Sequence, residues 1–428
     1  MGRPNVLIIT VDCLRYDAVT PSTAPNILRL GREGTYLRWA FSTSSWTLPS
    51  LNGFMTGTHP LRGGGDVTLL RRVTIAEALS RAGYFTVGVT KHPYLSSRYG
   101  FGKGFRIYDD RLGGGGEGGG SGRSPLHAAI KKVLVRSKRL FPLYVRRYVR
   151  VLRQRILRGY RFYAPAPEIN ETLLKLLRGA GSRPFFAWVH YLDTHFPYLP
   201  GGWDRGELAE LNVRRQLWMW GVEDVDEDAL RRLREAYLAK VREVDEAIAS
   251  LLDSLAGEAG ELAVIVTADH GEEFNEHGMF HHGNNNVWAT LTHVPLAAAG
   301  PAADALKPLR DTFLDHTLVA AELVRLAAGA EPPEGWRPTG PGRAFSEDAE
   351  PAVKGEIPTV LDLSRRSVAV GEGGWRYLRR SLPGGRVVEH LYNLVEDPLE
   401  LRDLAGRGAA GDVLERLRGV CEDFISSS

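Results

Sequence analysis

The sequence predicts an α/β fold: an α/β/α sandwich with a large mixed, mainly parallel sheet, plus a small C-terminal antiparallel-sheet subdomain. Two observations predict it. Short runs of β-branched and apolar residues alternate with amphipathic helical segments over the first three quarters of the chain, which is typical of parallel sheets. Past about residue 340 the pattern changes to closely spaced strand-like segments followed by one closing helix.

Four runs are predicted as buried parallel strands because each is short and almost wholly apolar. They cover residues 5–12, 85–90, 183–193 and 261–273. Three of these runs contain polar residues at or near their carboxyl ends: Asp12, Asp193 and the pair Asp269–His270. Because ligands bind outside the carboxyl ends of strands in such sheets, this convergence is the first functional signal.

Helical periodicity predicts helices between these strands. The segments are 25–34, 73–84 and 226–256, with a shorter helix at 49–55 and a terminal helix at 411–425. We expect residues 1–340 to form a catalytic domain and residues 341–428 to form the C-terminal subdomain. A length of 428 residues is sufficient for both.

The composition is ordinary for a soluble globular protein, with 43% apolar and 25% charged residues. No apolar run reaches the roughly 18 residues needed to cross a bilayer. The chain opens directly on a strand pattern without a signal-peptide region, which predicts a cytoplasmic location. Cys13 and Cys421 lie near opposite ends of the chain, and we expect both to be reduced structural thiols.

A basic insert at about 112–165 begins with a glycine-rich joint. From Arg123 to Arg161 it holds thirteen Lys or Arg and no Asp or Glu, so removing it takes the net charge from +3 to −10. Its apolar spacing predicts one or two amphipathic helices, broken near Pro142. One interpretation is a solvated insert that packs on the body. The other is a docking surface for an anionic membrane or another polyanion, which would place the protein peripherally at the inner membrane face.

Among polyanions, nucleic acid is a less favoured partner for the basic insert than an anionic membrane. The sequence contains no helix-turn-helix, RNA-binding or zinc pattern, so we expect no specific nucleic-acid partner.

The segment TADHGEEFNEHG contains the densest group of potential metal ligands. Asp269 and His270 offer a hard oxygen and an imidazole to one cation. Three further histidines and three acids follow nearby, and such density is hard to explain by packing: His277, His281, His282, Glu272, Glu273 and Glu276. Asp12 also needs a partner, since a carboxylate closing an apolar strand is costly to bury unless it is paired or metal-bound.

Two further segments follow predicted strands. HYLDTHFPY, residues 190–198, supplies His190, Asp193 and His195. His195 suits a hydrogen-bond donor to substrate, and the alternative is a core or capping histidine. Lys91 and His92 follow the strand 85–90 and are placed to meet a substrate anion, unless their role is structural.

The stretch SSWTLPSL, residues 44–51, raises a question about Thr47. This residue either caps the following helix or attacks a substrate. The two roles use the same geometry, because the N–H groups at a helix N-terminus bind anions and Pro49 suits the first helical turn.

Taken in order, these motifs resemble the sulfatase family of the alkaline phosphatase superfamily. The resemblance rests on NVLIITVDCLRYD, APNILRL, SWTLPSLNGFMTGTHP, HPYLSSRYGFGKGFRIYDD, HYLDTHFPY, TADHGEEFNEHGMFHHGNNNVWATLTHVPL and LYNLVEDPLELRDLA. It covers most of the chain outside 111–165 and parts of 300–370.

The resemblance implies a role for each motif residue. Asp12, Asp269 and His270 fall on metal-ligand positions, and Thr47 falls on the nucleophile position, which also touches the metal. The remaining catalytic positions match His195, His282 and Lys91, which would hold the ester oxygens or protonate the leaving group. His92 and Asp193 are predicted to bind substrate.

Two departures from the family pattern narrow the prediction. The sulfatase motif C/S-x-P-S-R, whose first residue is oxidised to formylglycine, is Thr47 to Leu51 here, and threonine is not a substrate for that oxidation. Many sulfatases open with paired aspartates, whereas here the second is Cys13. With one carboxylate fewer and an imidazole more, Mn²⁺ or Zn²⁺ is favoured, and Ca²⁺ is possible.

The predicted function is therefore a sulfatase-family, metal-dependent hydrolase or transferase of sulfate or phosphate esters, using a Thr nucleophile and leaning to phosphoesters. The ester would belong to a small molecule, a lipid or a glycan. The alternative is a catalytically silent metal-binding protein of the same fold that binds membrane or polyanion through its basic insert.

Overall fold

The computed structural model describes residues 3–111, 140–257, 260–351, 359–382, 386–407 and 410–427. Its main sheet is built from β1 (Asn5–Val11), β2 (Thr35–Tyr36), β4 (Phe85–Thr90), β5 (Ile107–Asp109), β6 (Phe185–Tyr191), β7 (Leu262–Ala268) and β8 (Leu296–Ala299). The seven strands lie in the order β2-β8-β7-β1-β6-β4-β5. The five strands from β7 to β5 are mutually parallel, whereas β8 pairs antiparallel with both β7 and β2. This mixed, mainly parallel sheet confirms the predicted fold class.

Helices cover both faces of this sheet. The described α-helices are Pro25–Glu33, Thr47–Thr56, Ile75–Arg81, Phe141–Leu157, Ala166–Leu177, Arg205–Met219, Glu227–Leu255, Ala289–Thr292, Pro301–Leu306, His316–Ala328 and Gly411–Ser426. Short 3-10 turns occur at Tyr16–Ala18, Pro60–Gly63, Pro93–Leu95, Ser97–Tyr99, Arg178–Ala180 and Lys307–Leu309.

Strand β1 shows why the central strands are continuous apolar runs. Leu7 and Ile9 belong to the core under the helices Pro25–Glu33 and Glu227–Leu255. Val6 and Ile8 belong to the core on the opposite face, under Thr47–Thr56 and His316–Ala328. All four side chains are fully buried. A strand with both faces covered gains from apolar residues at every position.

The C-terminal sheet is antiparallel and has the order β10-β11-β12-β13. Its strands are β10 (Ala344–Pro351), β11 (Leu361–Glu372), β12 (Trp375–Ser381) and β13 (Val387–Asn393). The helix Gly411–Ser426 packs on it through Leu417, Cys421 and Phe424. A further two-stranded sheet pairs β3 (Ala40–Phe41) with β9 (Leu314–Asp315).

Strand β10 joins the C-terminal sheet to the segment before the helix Thr47–Thr56. The backbone N–H of Glu347 donates to the Thr43 carbonyl at 2.9 Å. The Ser346 hydroxyl donates to the Ser42 carbonyl at 2.7 Å. These contacts attach the late sheet directly to the stretch that carries Thr47.

The described part of the basic insert, residues 140–165, contains the helix Phe141–Leu157, which has Pro142 in its first turn. A proline is tolerated there because the first-turn N–H has no helical partner. The part of the predicted insert at 112–139 lies outside the described residues. Among the described helices, none is both long and apolar enough to cross a bilayer.

Candidate active site

Three neighbouring strands, β7, β1 and β6, end at one edge of the sheet and bring the predicted residues together. Asp12 follows β1, Asp269 follows β7, and His190 lies in β6 next to its last residue. In the strand register Thr10 pairs with both His190 and Thr267. Since these strands are adjacent and parallel, residues far apart in the chain meet at this edge.

The turn after β7 is fixed by Gly271. A Cβ atom at this position would lie 2.0 Å from the Thr290 carbonyl oxygen, so no larger residue fits. The Oδ1 atom of Asp269 accepts the backbone N–H groups of His270 at 2.8 Å and Cys13 at 3.3 Å. These two hydrogen bonds orient the carboxylate, and its Oδ2 atom has no hydrogen-bond partner in the described structure.

His270 faces the other metal-ligand candidates through Nε2. Its Nδ1–H donates to the Gly271 carbonyl at 2.8 Å, which places the ring lone pair on Nε2. Nε2 lies 3.4 Å from Asp269 Oδ2 and 3.6 Å from Asp12 Oδ1. Burial lowers the pKa of His270, so its neutral form is favoured.

Thr47 is the first residue of the helix Thr47–Thr56 and belongs to the same cluster. Its Oγ1 atom lies 3.2 Å from His270 Nε2. The helix has no side-chain cap, so its first-turn N–H groups are left for a ligand. The helix is held against the turn after β7, because the Ser50 hydroxyl donates to the Asp269 carbonyl at 2.5 Å.

Polar atoms without partners support a cation at this position. In the described structure Asp12 Oδ2, Asp269 Oδ2 and His190 Nε2 are buried and have no hydrogen-bond partner. Ligand atoms of these three residues lie within 4.8 Å of one another, as do those of Asp12, Cys13 and His270. Unpaired buried polar atoms are costly, and a divalent ion would satisfy all of them at once. The residues present therefore fit a metal site.

The two carboxylates differ in ionisation. Burial acts to raise the pKa of Asp12, but the nearby imidazoles of His195, His190, His270 and His92 outweigh it and hold this pKa well below its usual value. Burial and then the Asp12 charge raise the pKa of Asp269 well above its usual value. Two buried carboxylates this close favour a cation between them.

Cys13 lies inside this cluster, although the sequence predicts a structural thiol. It is free and fully buried, as is Cys421 at the other end of the chain. Its thiol donates to Asp12 Oδ1 at 3.0 Å, and its Sγ atom lies 3.5 Å from His282 Nδ1. Burial, Asp12, Glu272 and Asp269 all raise the pKa of the Cys13 thiol, which keeps it protonated.

His282 is held by a buried carboxylate that the sequence does not single out. Its Nδ1–H donates to Glu272 Oε1 at 3.2 Å. The other oxygen of Glu272 accepts the Tyr198 hydroxyl at 3.0 Å and the Arg215 guanidinium at 3.4 Å. Burial opposes ionisation of Glu272, but His282 and Arg215 keep its pKa far below the usual range. His282 therefore has Nε2 available for a substrate.

His195 has a similar arrangement. Its Nδ1 atom lies 2.7 Å from the Phe196 carbonyl and 2.8 Å from the hydroxyl of Tyr163, which itself donates to Phe196. Its ring centroid lies 5.5 Å from that of His282. The two imidazoles are therefore adjacent, each with Nδ1 engaged. Tyr163 lies within the predicted insert, between the basic helix and the helix Ala166–Leu177, and was not predicted as a site residue.

The three remaining predicted residues occupy different positions. His92 is close to the cluster, with Nε2 3.5 Å from Asp12 Oδ2. Lys91 forms an ion pair with Asp109 at 2.9 Å. The Asp193 carboxylate accepts the backbone N–H of Ala166 at 3.0 Å and lies 3.4 Å from Lys240. Their substrate roles stay predictions.

The segment before Thr47 is fixed by Asp348 of β10. The Trp46 indole donates to Asp348 Oδ1 at 3.0 Å, and the Ser45 hydroxyl donates to Oδ2 at 3.1 Å. The backbone N–H of Asn285, three residues after His282, also donates to Oδ2 at 2.8 Å. One buried carboxylate thus holds both the segment before Thr47 and the loop that carries His282.

A family model and a curated protein both match this chain in sequence. The family model described as sulfatase matches residues 4–330. A choline-sulfatase of Rhizobium meliloti (strain 1021) is 27% identical over 266 residues, which cover 55% of this chain and 50% of the relative. The chain thus aligns with about half the length of this curated relative.

Solved structures share the fold over nearly the whole chain. A phosphonate monoester hydrolase from Silicibacter pomeroyi superposes with a TM-score of 0.66 at 17% identity, covering 100% of this chain and 96% of that one. The phosphonate monoester hydrolase of Agrobacterium radiobacter gives 0.65 at 19% identity, covering 99% and 95%. A 2-O GAG sulfatase gives 0.66 at 17% identity, covering 99% and 92%.

The family match extends over more than half of the chain and includes every residue of the cluster around Thr47. It agrees with the predicted enzyme class, an ester hydrolase of the sulfatase type. The chain belongs to the sulfatase family.

Proposed function

We propose that the protein is a metal-dependent hydrolase or transferase of sulfate or phosphate esters, leaning to phosphoesters, in which Thr47 is the nucleophile. The observation that carries this proposal is the position of Thr47 Oγ1. It lies 3.2 Å from His270 Nε2, at an uncapped helix N-terminus, within a cluster that fits a divalent cation.

Asp12, Asp269, His270 and Thr47 would hold the cation, with Mn²⁺ or Zn²⁺ favoured over Ca²⁺ by the imidazole nitrogen. When bound, the ion supplies Lewis acidity that lowers the pKa of the Thr47 hydroxyl and offsets charge on the ester oxygens. The chain itself orients the nucleophile, because Ser50, Trp46 and the helix fix the position of Thr47.

The reaction has two displacements. In the first, Thr47 Oγ1 gives its proton to solvent and bonds to the phosphorus or sulfur atom, while the bond to the leaving oxygen breaks and that oxygen takes a proton from His282. In the second, water or an acceptor alcohol gives a proton to His282 and attacks the same atom, and the bond to Thr47 Oγ1 breaks. The N–H groups at the helix N-terminus would stabilise charge on the ester oxygens in both steps.

His282 is the residue best supported for proton transfer to the leaving oxygen. The Glu272 carboxylate fixes Nδ1 as the donor, which leaves Nε2 to exchange a proton with substrate. The side chain of His282 is 21% exposed, in contrast to fully buried His270. His195 lies beside it and would hold an anionic ester oxygen.

The preference for phosphate esters rests on Thr47, which cannot become formylglycine. The substrates named for similar proteins are sulfate and phosphonate esters, including choline sulfate for the curated relative. The ester on which this chain acts would likewise be carried by a small molecule, a lipid or a glycan.

A panel of nitrophenyl phosphate, bis-nitrophenyl phosphate, nitrophenyl phenylphosphonate and nitrophenyl sulfate tests the proposal. Purified protein would be assayed with Mn²⁺, Zn²⁺, Ca²⁺ or EDTA. We expect metal-dependent turnover that Thr47→Ala abolishes and Thr47→Ser retains in part. Full turnover by Thr47→Ala would refute the nucleophile assignment. Added glycerol separates hydrolase from transferase by the product it yields.

The absence of turnover with every ester and metal would instead favour a catalytically silent metal-binding protein. Thermal stabilisation by the metals alone would then identify the binding function, since a ligand specific for the folded state raises the unfolding temperature.

We also propose that the outer face of the helix Phe141–Leu157 docks on an anionic lipid surface. Exposed arginines occupy this face and form no ion pair with a described carboxylate: Arg146, Arg147, Arg150 and Arg153, together with Arg158 just after the helix. Leu143, Val151 and Leu157 are also exposed, by 58%, 40% and 45%. Arginines with interspersed apolar side chains suit a membrane interface, where anionic headgroups supply the missing partners.

Vesicle sedimentation tests this surface. We expect the full chain to bind phosphatidylserine-containing vesicles at low salt and to leave them at high salt. Replacing Arg146, Arg150 and Arg153 by Glu should abolish binding. The same replacement at Arg71, Arg242 and Arg407, which are exposed elsewhere, changes net charge equally and should reduce binding much less. Equal loss in both variants, or no binding by the full chain, would refute a lipid-docking helix.

A further inference from the structure

We infer that His190 is an additional ligand of the cation at Asp12, Thr47, Asp269 and His270. This inference rests on the proposed function, which places the cation there. His190 is fully buried, and its Nε2 atom has no hydrogen-bond partner in the described structure. Nε2 lies 3.7 Å from Asp12 Oδ2, an atom that also lacks a partner.

The position of His190 is set by the sheet. It lies in β6, and in the strand register it is flanked by Thr10 of β1 and Thr90 of β4. A side chain in the middle of a buried parallel sheet has little freedom to move. Its ring is therefore presented at a fixed place beside Asp12, which follows β1 by one residue.

The tautomer of His190 follows from Thr10. The Trp188 indole donates to Thr10 Oγ1 at 3.0 Å, and the hydroxyl of Thr10 donates to the Val189 carbonyl at 3.2 Å. With its own proton on the Val189 carbonyl, this hydroxyl has a lone pair left for a proton on His190 Nδ1, which lies 2.9 Å away. With the proton on Nδ1, Nε2 presents a lone pair toward Asp12 and Asp269. Lone pairs from two carboxylates and one imidazole face one another, and a cation satisfies all three.

His92 provides the contrast. It also lies beside Asp12, with Nε2 3.5 Å from Oδ2. However, its Nδ1 atom accepts the backbone N–H of Tyr94 at 3.0 Å, so the proton of the neutral ring sits on Nε2. The Nε2 atom of His92 thus carries the proton and offers no lone pair to a cation, whereas His190 has the lone pair that a metal ligand needs. The two histidines make matched variants.

This additional ligand changes the chemistry of the site. Asp12 and Asp269 would supply oxygen ligands, and His270 and His190 would supply nitrogen ligands. Cys13 stands where many sulfatases have a second aspartate. A site with two imidazoles favours Mn²⁺, Zn²⁺ or another transition metal over Ca²⁺ and Mg²⁺, which prefer oxygen ligands. His190 would thus compensate for the carboxylate that Cys13 replaces.

Counting nitrogen ligands by pulsed electron paramagnetic resonance of Mn²⁺-loaded protein tests the inference. We expect two coordinated imidazoles in the wild type and in His92→Gln, and one in His190→Gln. Chelator competition should give a Mn²⁺ dissociation constant at least tenfold higher for His190→Gln than for His92→Gln.

A single imidazole in the wild type, or two in His190→Gln, would overturn the inference. If His190→Gln does not fold, the wild-type count still decides between one and two ligands. Thr47→Ala separates this inference from the proposed function. If that variant keeps full turnover while the wild type has two imidazoles, the nucleophile is wrong and the ligand assignment stands.

Discussion

The Nδ1 atom of His282 lies 3.2 Å from Oε1 of Glu272, a carboxylate without exposed surface. This pair supports the proposed proton-transfer role of His282, since an imidazole with one nitrogen fixed by a carboxylate has the other free for substrate. Arg215 and Tyr198 hold the far side of Glu272, so the pair is part of a buried polar network.

The first prediction concerns this pair. Glu272→Gln should lower kcat about a hundredfold for alkyl esters, whose leaving oxygen needs a proton, because general acid catalysis typically contributes at least that much. Nitrophenyl esters, whose leaving group departs without a proton, should lose far less. Steady-state kinetics on the two ester classes measures this difference.

His282→Ala should give the same dependence on the leaving group, and His281→Ala, one residue away, should not. An equal loss for both ester classes in Glu272→Gln would mean that Glu272 serves stability alone.

The second prediction concerns Asp348, which accepts four hydrogen bonds, from Ser45, Trp46, Asn285 and Ala349. Asp348→Asn puts an amide NH₂ against at least one of these donors. The free energy of unfolding should fall by about 1–3 kcal/mol, the usual cost of an unsatisfied buried group. Turnover should fall as well, because Trp46 precedes Thr47. Urea unfolding and kinetics measure the two effects.

Ser45→Ala is the matched control, since it removes one of the four donors and leaves the carboxylate in place. It should change turnover less than Asp348→Asn does. A fully active Asp348→Asn protein would show that this carboxylate does not position Thr47.

The third prediction concerns Cys13, which stands where many sulfatases have a second aspartate. Its backbone φ is 60°, a left-handed conformation that Asp and Asn adopt more readily than most residues. Cys13→Asp adds a hard, negatively charged oxygen beside Asp12 and should increase Ca²⁺ affinity at least tenfold. Isothermal titration calorimetry measures the affinity.

Cys13→Asn has nearly the same shape without the charge and should increase Ca²⁺ affinity much less. Equal affinities in these two variants would show that the Cys13 position does not contact the ion.

The fourth prediction concerns acid stability and His316, whose buried ring stacks on Phe54 at 4.7 Å. Burial lowers its pKa to about 4, from the usual 6.5 of an unfolded chain. Between pH 6.5 and 4 the unfolded state binds the extra proton, so the free energy of unfolding falls as the pH falls. His316→Phe removes this proton uptake and should lose less stability over that range than the wild type. Urea unfolding at pH 4.5 and 7 measures the loss.

Thr267→Val removes the partner of His316 Nε2, which lies 3.1 Å from the Thr267 hydroxyl, and leaves the imidazole in place. It should lower stability at both pH values without removing the dependence on pH. An unchanged acid loss in His316→Phe would assign the pH dependence to other groups.

Much of the scaffold could be predicted because local patterns determine it. The strand Phe85–Thr90 matches its predicted bounds to the residue, and the long helix Glu227–Leu255 differs by one residue at each end. Both have an apolar pattern that is unambiguous without knowledge of their neighbours. The positions of Asp12 and Asp269 after buried strands could be predicted for the same reason, since a charge that closes a buried strand is unusual in itself.

Other parts of the site depend on contacts that no local pattern contains. His190 was visible at a strand end, but the case for it as a ligand needs the register with Thr10 and the tautomer that Thr10 selects. Glu272 stood among several acids, and only its burial against His282 and Arg215 distinguishes it. Asp193 shares the strand-end signal of Asp12, yet its carboxylate caps the helix Ala166–Leu177.

Strand β10 has a consequence for the order of synthesis. Trp46 and Asp348, which form one hydrogen bond, are separated by 302 positions in the chain. On the ribosome, the segment that contains Thr47 emerges early and lacks this support until β10 has been made. A nascent chain that stops at residue 340 would have Asp12, Thr47, Asp269 and His270 but no anchor for Trp46. The support for the segment before Thr47 would therefore be complete only late in translation, and a chain truncated before β10 would lack it.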